Sequence, residues 1–228
     1  MSLKSVIEKM PGYNKLVLPV HYLQAVRAGM KYGWPAKKLR VIGVNGTNGK
    51  TTTSFMIWKM LNESGRKCGL LTTVGWSVDG EHLQKQVEHM TTERVGVLNE
   101  RMRKVADAGA EFLVLEVTSH ALAQYRTLGV PIEIAVFTNL THEHLDYHGT
   151  FENYRKAKLR LFEGAKCGVV NADDPSAECF ARAISNNSSF SGHANARPSL
   201  RGASSLRSTP VVVEDSQKGE LLEQQVVT

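Results

Sequence analysis

Apolar residues along this chain of 228 residues follow two rhythms. Short unbroken runs occur at LRVIGV (39–44), CGLLTTV (68–74), EFLVLEV (111–117), IEIAVFTN (132–139), GVVN (168–171) and VVVED (211–215), and each reads as a strand. Between them the apolar positions recur every three or four residues. HYLQAVRAGMKYGW puts Tyr22, Leu23, Val26, Met30 and Gly33 at helical spacings, and Pro35 is predicted to end that helix. TTTSFMIWKMLNESG predicts a helix closed by Gly65. EHMTTERVGVLNERMRKVADAG predicts one capped near Thr91 or Thr92 and stopped by Gly109. FENYRKAKLRLFEGA carries Phe151, Tyr154, Leu161 and Phe162 on one stripe, and Asp173–Pro175 starts a further helix.

Strands that alternate with helices predict an α/β fold of P-loop type. Its sheet is mostly parallel, with helices on both faces. The expected organisation is a basic helical segment at 1–38, an α/β domain at 39–185 and a polar continuation at 186–228. That last part is rich in Ser, Asn, Gly and Arg and reads as short strands or as irregular chain. There is no internal repeat.

Composition adds three constraints. No apolar run is long enough to span a bilayer, and the N-terminus lacks a signal-peptide core, so a cytoplasmic protein without a transmembrane segment is expected. Three scattered cysteines, Cys68, Cys167 and Cys179, show neither disulfide nor metal spacing. The net charge of +6 is uneven: residues 1–40 hold eight lysines and arginines against one acid, whereas 186–228 hold four of each. Such a segment is either a solvated helical face or an attractor for nucleic acid or anionic lipid. No interleaving of aromatic and basic residues points to single strands, so no nucleic-acid partner is expected.

Candidate chemistry starts at VIGVNGTNGKTTT (41–53). A glycine-rich turn between a strand and a helix aims backbone N–H groups at phosphate oxygens, the lysine reaches the terminal phosphates and the next hydroxyl holds Mg²⁺. The loop is Gly46-Thr47-Asn48-Gly49-Lys50-Thr51, followed by Thr52. The generic spacing would need glycine at Val44, so the strict motif is not met. Glu116 ends an apolar strand, where an open α/β sheet binds ligands, and it suits either a cap or a cation ligand. FTNLTHEHLDYHGT gathers His142, Glu143, His144, Asp146 and His148. By composition this is a zinc site, a neighbour of the Mg²⁺ chemistry, or a polar loop with satisfied histidines. Lys158, read locally, is an ordinary helical lysine.

The particular strings GTNGKTTT, MTTE, EVTSHALAQYR, FTNLTHEHLDYHGTFENYRKAKLRLF and VNADDP follow one another over Leu39–Pro175. In that order they resemble the central ATP-binding domain of the Mur ligase family, which is similar to folylpolyglutamate and cyanophycin synthetases. Within the family, EVTSHAL and HLDYHGT resemble the UDP-N-acetylmuramoyl-tripeptide synthetases (MurE-like). RGASSLRSTP (201–210) is a weaker echo of later strands.

The resemblance implies an ATP- and Mg²⁺-dependent ligase of peptidoglycan precursor synthesis. It would join an amino acid to UDP-MurNAc-L-Ala-D-Glu through an acyl phosphate. It implies nucleotide binding by Gly46, Thr47, Asn48, Gly49, Lys50, Thr51, Thr52 and Asn139. It implies Mg²⁺ binding by Thr51, Glu116, His144 and a carbamylated Lys158, with Lys50, His144 and Lys158 catalytic. Thr91, Thr92, Ser119, His120 and Arg126 match positions that contact the muramyl peptide. The chain departs from the pattern at Glu93, where proline is usual, at Thr118, where serine is usual, and at His142-Glu143, where Arg-Asp is usual. Family members also carry a uridine-nucleotide domain before this region and an amino-acid domain after it. The reading therefore expects a partial chain that is inactive alone, or one completed by a separate chain. The alternatives are a non-catalytic ATP-binding module or a related ligase acting on a different acid.

Overall fold

The computed structural model describes residues 17–85, 92–143, 145–185 and 210–214. Helix α1 spans Leu18–Tyr32 and a 3₁₀ turn spans Pro35–Lys38. There follow β1 (Arg40–Asn45), α2 (Lys50–Glu63), β2 (Cys68–Leu71), β3 (Gly75–Ser77), β4 (Gln84–Lys85), α3 (Val95–Asp107) and β5 (Phe112–Glu116). Then come α4 (Ser119–Ala123), β6 (Ile132–Phe137), α5 (Leu145–His148), α6 (Phe151–Glu163), β7 (Cys167–Asn171), α7 (Ala177–Ser185) and β8 (Pro210–Glu214).

Among the described residues the strands form one sheet in the order β4-β3-β2-β5-β1-β6-β7-β8. The five central strands run parallel, and β3, β4 and β8 pair antiparallel at the two edges. The expected α/β architecture is therefore present. Apolar runs without polar interruption suit strands covered on both faces, and alternate residues part accordingly. Val41, Leu113 and Leu115 enter one core layer with Leu98, Met102, Leu161 and Phe162 of α3 and α6. Ile42, Val44 and Val114 enter the other with Trp58 of α2.

Several boundaries differ from the sequence pattern. Strand β2 stops at Leu71 because Thr72 turns the chain: its hydroxyl donates to Gly75 O at 2.8 Å, and β3 returns beside β2. Helix α1 stops at Gly33, whose φ of 70° takes the left-handed turn, and Pro35 opens the 3₁₀ turn instead. The face of α1 is also reversed. Ala25, Ala28 and Gly29 are buried, while Tyr22, Leu23 and Met30 of the anticipated stripe are exposed. The helix lies against α3 through its small residues, with the Trp34 ring folded onto Gly29, and this close approach leaves no room for large side chains. Helix α3 begins at Val95, not at a threonine cap, since Thr92 is engaged elsewhere; Thr91 lies outside the described residues.

Candidate active site

The turn after β1 is held mainly from β6. Thr47 N–H donates to Asn139 O at 2.8 Å. The Asn139 amide grips Asn48 from both sides, accepting from its N–H at 2.9 Å and donating to its carbonyl at 3.0 Å. Thr138 Oγ1 adds a bond to Asn48 O at 2.7 Å. Thr47 Oγ1 accepts from Thr141 N at 2.9 Å and lies 3.3 Å from the Tyr154 hydroxyl. The VNADDP stretch supports the same turn: Asn171 Nδ2 donates to Thr138 O at 2.9 Å, and Asp174 Oδ2 accepts from Leu140 N at 2.7 Å. Asn139, expected beside the nucleotide, thus also sets the shape of the loop.

Glycine is required twice here. Gly49 has φ 81°, in the left-handed region, and stands as N-cap of α2, so the free N–H groups of the first helical turn open beyond it. A Cβ on Gly46 would sit 1.8 Å from Thr138 Oγ1 and 3.1 Å from Asn139 N. Gly46→Ala is therefore expected to displace the Thr138 clamp and destabilise the fold by about 1–3 kcal/mol in urea unfolding. Wild-type stability in that variant would show that the loop is not held this tightly.

Lys50 opens α2, half-buried, with its ammonium turned back onto Thr47 O at 2.7 Å. Burial lowers its pKa, partly opposed by Glu116 and Glu143. Thr51 Oγ1 donates to both oxygens of Glu116 at 3.1 Å, and Glu116 also accepts from Thr73 N at 3.1 Å. Glu116 is 1% exposed and ends β5 beside the loop. Thr52 is exposed on the first turn of α2. A hydroxyl next to a buried carboxylate is a hard, all-oxygen donor pair. It suits Mg²⁺, which keeps several waters and takes few protein ligands.

Lys158 overturns its local reading as a solvated lysine. It lies 2% exposed on the inner face of α6. Its ammonium donates to Asn45 Oδ1 at 2.9 Å and Gly46 O at 2.6 Å, 4.8 Å from the centre of the Tyr154 ring. Burial, then repulsion from Lys50, lowers its pKa to about 7, with Glu143 pulling weakly the other way. Asn45, absent from the sequence-based site, is fully buried, and its Nδ2 has no hydrogen-bond partner among the described residues.

The two described histidines of this stretch do not gather. His142 stacks on Phe151 at 4.3 Å, while His148 Nε2 sits 3.0 Å from Ser119 Oγ. His144 lies outside the described residues. Among the described residues there is no cluster of three or more His, Cys, Asp or Glu that could hold a metal ion.

A second group surrounds the end of β5. Thr92 Oγ1 donates to Glu116 O and accepts from Thr118 N, each at 3.0 Å. Thr118 caps the short α4 by accepting from Ala121 N at 3.2 Å. Arg126 donates to Thr92 O and doubly to Gln124 Oε1, and burial pulls its guanidinium down. The Gln124 amide reaches the Tyr147 hydroxyl at 3.2 Å, and Tyr147 packs against His120 at 4.1 Å. Thr92, Ser119, His120 and Arg126 are thereby brought together. Glu93 forms a 2.8 Å ion pair with Arg101, whose guanidinium covers the Trp76 ring, and so anchors the Thr92 segment to α3.

Comparison with known proteins agrees with this architecture. The Mur ligase middle domain matches residues 44–221. The chain is 43% identical over 143 residues to a UDP-N-acetylmuramyl-tripeptide synthetase of Deinococcus radiodurans, covering 63% of this chain and 29% of that protein. It is 44% identical over 160 residues to a UDP-N-acetylmuramoyl-L-alanyl-D-glutamate–2,6-diaminopimelate ligase of Geobacillus thermodenitrificans, covering 66% of this chain and 32% of that ligase. A solved diaminopimelate ligase superposes with a TM-score of 0.58 at 39% identity, over 65% of this chain and 30% of the other. A Mycobacterium tuberculosis folylpolyglutamate synthase complexed with ADP gives 0.57 at 18% identity, over 73% and 44%, and shares the fold. The chain thus spans about a third of the length of these curated ligases. A match over most of the sequence, carried by a sheet and a phosphate loop of the same kind, means that this chain belongs to the Mur ligase family and contains its middle domain.

Proposed function

We propose that this chain supplies the ATP-binding and phosphoryl-transfer part of a ligase that extends UDP-MurNAc-L-Ala-D-Glu by one amino acid in peptidoglycan precursor synthesis. The observation that carries the reading is the constellation at the C-terminal ends of β1 and β5. The phosphate loop, the Thr51–Glu116 pair and the buried Lys158 meet there, next to the Thr92–Ser119–Arg126 group.

In this reading a carboxylate oxygen of the muramyl peptide attacks the γ-phosphorus of ATP, and the bond to the bridging oxygen breaks to release ADP. The amine of the incoming amino acid then attacks the acyl carbon. The C–O electron pair leaves with inorganic phosphate, and the ammonium proton is lost to give the amide. Phosphoryl transfer of this kind depends on positioning and charge neutralisation. The N–H groups of 49–51 would cradle phosphate oxygens, and Lys50 would leave Thr47 O to face the terminal phosphates. Thr51, Glu116, Lys158 and His144 would serve the Mg²⁺, which when bound neutralises charge on the transferred group. Arg126, Ser119, His120, Thr91 and Thr92 would hold the acid. Lys50 is close enough to Lys158 to help lower its pKa, after the larger effect of burial, and a polyanionic ligand would relieve that repulsion.

Titration calorimetry with MgATP tests the nucleotide part. Wild-type chain is expected to bind, and Lys50→Ala to weaken binding by about 10–100-fold through loss of a charge-assisted contact. Equal affinity in a folded Lys50→Ala variant would refute the assignment. Among the described residues no helix is long and apolar enough to cross a membrane.

A further inference from the structure

We propose that α1 and the basic turn behind it form a peripheral docking surface for an anionic lipid bilayer. A helix on the surface of a globular protein normally turns its large apolar residues inward. Here α1 does the reverse. Its inner side is Ala25, Ala28 and Gly29, while Val20, Leu23 and Met30 remain 51%, 66% and 64% exposed. On a helical wheel these three point away from the buried side, with Arg27 and Lys31 alongside. Leu23 and Met30 of the stripe that periodicity assigned to the core thus face outward beside Val20, uncovered by any described residue, whereas Tyr22 packs on Tyr125 and Val26 is half-buried.

Charge selects the occupant. Residues 17–40 contain Arg27, Lys31, Lys37, Lys38 and Arg40 and no acid. Directly after α1, a cleft of about 300 Å³ is lined by Lys37, Lys38, Arg40 and Lys166, and Glu133 is the one carboxylate among its described lining residues. Arg40 and Lys166 share that carboxylate and Arg40 also pairs with Glu111, which leaves Lys37 and Lys38 as the lining cations without a carboxylate partner among the described residues. A two-fold contact between copies of this face would set the same cations against each other, which disfavours a homodimer. A nucleic acid would satisfy the cations and leave the apolar stripe wet. A bilayer containing anionic lipid satisfies both: the stripe enters the interface, and the lysines meet phosphate headgroups at the surface. The cleft lies at the N-terminal ends of β1 and β6, and the phosphate loop follows the C-terminal end of β1. Docking there leaves the nucleotide edge of the sheet open.

The test is co-sedimentation of the 228-residue chain with vesicles of phosphatidylcholine containing about 30% phosphatidylglycerol at low ionic strength. Expected results are binding to these vesicles, none to pure phosphatidylcholine, and loss at high salt. The double variants Leu23→Gln with Met30→Gln and Lys37→Gln with Lys38→Gln should each weaken binding by about tenfold or more. All four residues are exposed, so unchanged thermal unfolding is expected and keeps the comparison interpretable. Three results would overturn the proposal: no vesicle binding by the folded wild-type chain, binding that both double variants retain, or self-association in light scattering that Leu23→Gln with Met30→Gln abolishes. A DNA duplex displacing the chain from vesicles while Leu23→Gln with Met30→Gln binds DNA normally would assign the surface to nucleic acid instead.

Discussion

Lys158→Ala is expected to lower amide formation by the complete ligase by about a hundredfold or more, with a short carboxylate such as formate restoring part of it. The reason lies in the burial of the ammonium. Its pKa of about 7, against 10.5 for an ordinary lysine, leaves a large neutral fraction at neutral pH. A neutral amine can attack CO₂: the nitrogen lone pair forms the new N–C bond, a proton leaves, and the cation becomes a carbamate anion. That inverts the charge beside Gly46 of the phosphate loop from repelling a divalent cation to attracting one. A ¹³C-carbonyl signal on Lys158 under labelled CO₂, growing with Mg²⁺ and nucleotide, is the direct readout. Full activity of Lys158→Ala without added carboxylate would reduce Lys158 to a packing role.

The same group leaves a mark on stability. Below about pH 7 folded and unfolded chains both hold the proton, and the cost of burying the ammonium is fully present. Between about 7 and 10.5 the folded chain has released it while the unfolded chain has not, so stability rises with pH across that window. Lys158→Met should flatten this slope in urea titrations. It should also leave Asn45 Oδ1 and Gly46 O without their donor, at about 1–3 kcal/mol for each unsatisfied group.

The second large effect is expected for Glu116→Gln. The substitution keeps the shape and can still accept from Thr51 Oγ1, but it removes the negative charge at the end of β5. MgATP affinity should fall by about 10–100-fold, whereas nucleotide binding in the absence of Mg²⁺ should hold or improve, since a carboxylate no longer faces the phosphates. Calorimetry with and without Mg²⁺ separates the two. An equal loss under both conditions would mean that Glu116 only braces Thr51 and Thr73.

Much of the candidate site was legible in local sequence, for chemical reasons. Gly46 and Gly49 are dictated by a clash and a left-handed turn, which no other residue type meets as easily. Lys50, Thr51 and Glu116 sit at strand and helix ends, positions that apolar runs mark out. Lys158 was concealed because its type suggests solvent. Yet its spacing from Tyr154 and from Leu161 and Phe162, four before and three or four after, already put it on the buried stripe of α6. Asn45, Thr138, Asn171 and Asp174 gave no local sign of their roles at the loop, and Tyr154 showed only its place on the α6 stripe, since each acts through a partner tens of residues away.

The chain's own sequence determined the order of the long strands and helices, though not β3, β4, α4 or α5, together with the double-sided burial of the central sheet and the position of the phosphate loop, because periodicity and glycine geometry act over a few residues. Tertiary structure alone decided the rest. It turned Thr92 from a helix cap into a bridge between Glu116 O and Thr118 N, because β5 passes within hydrogen-bond reach. It reversed α1, because contact with α3 and Trp34 admits only small residues and drives the large ones outward. It made Lys158 half-neutral, because a pKa depends on the dielectric and the charges around a group, and those come from β1 and α2, more than a hundred residues away along the chain.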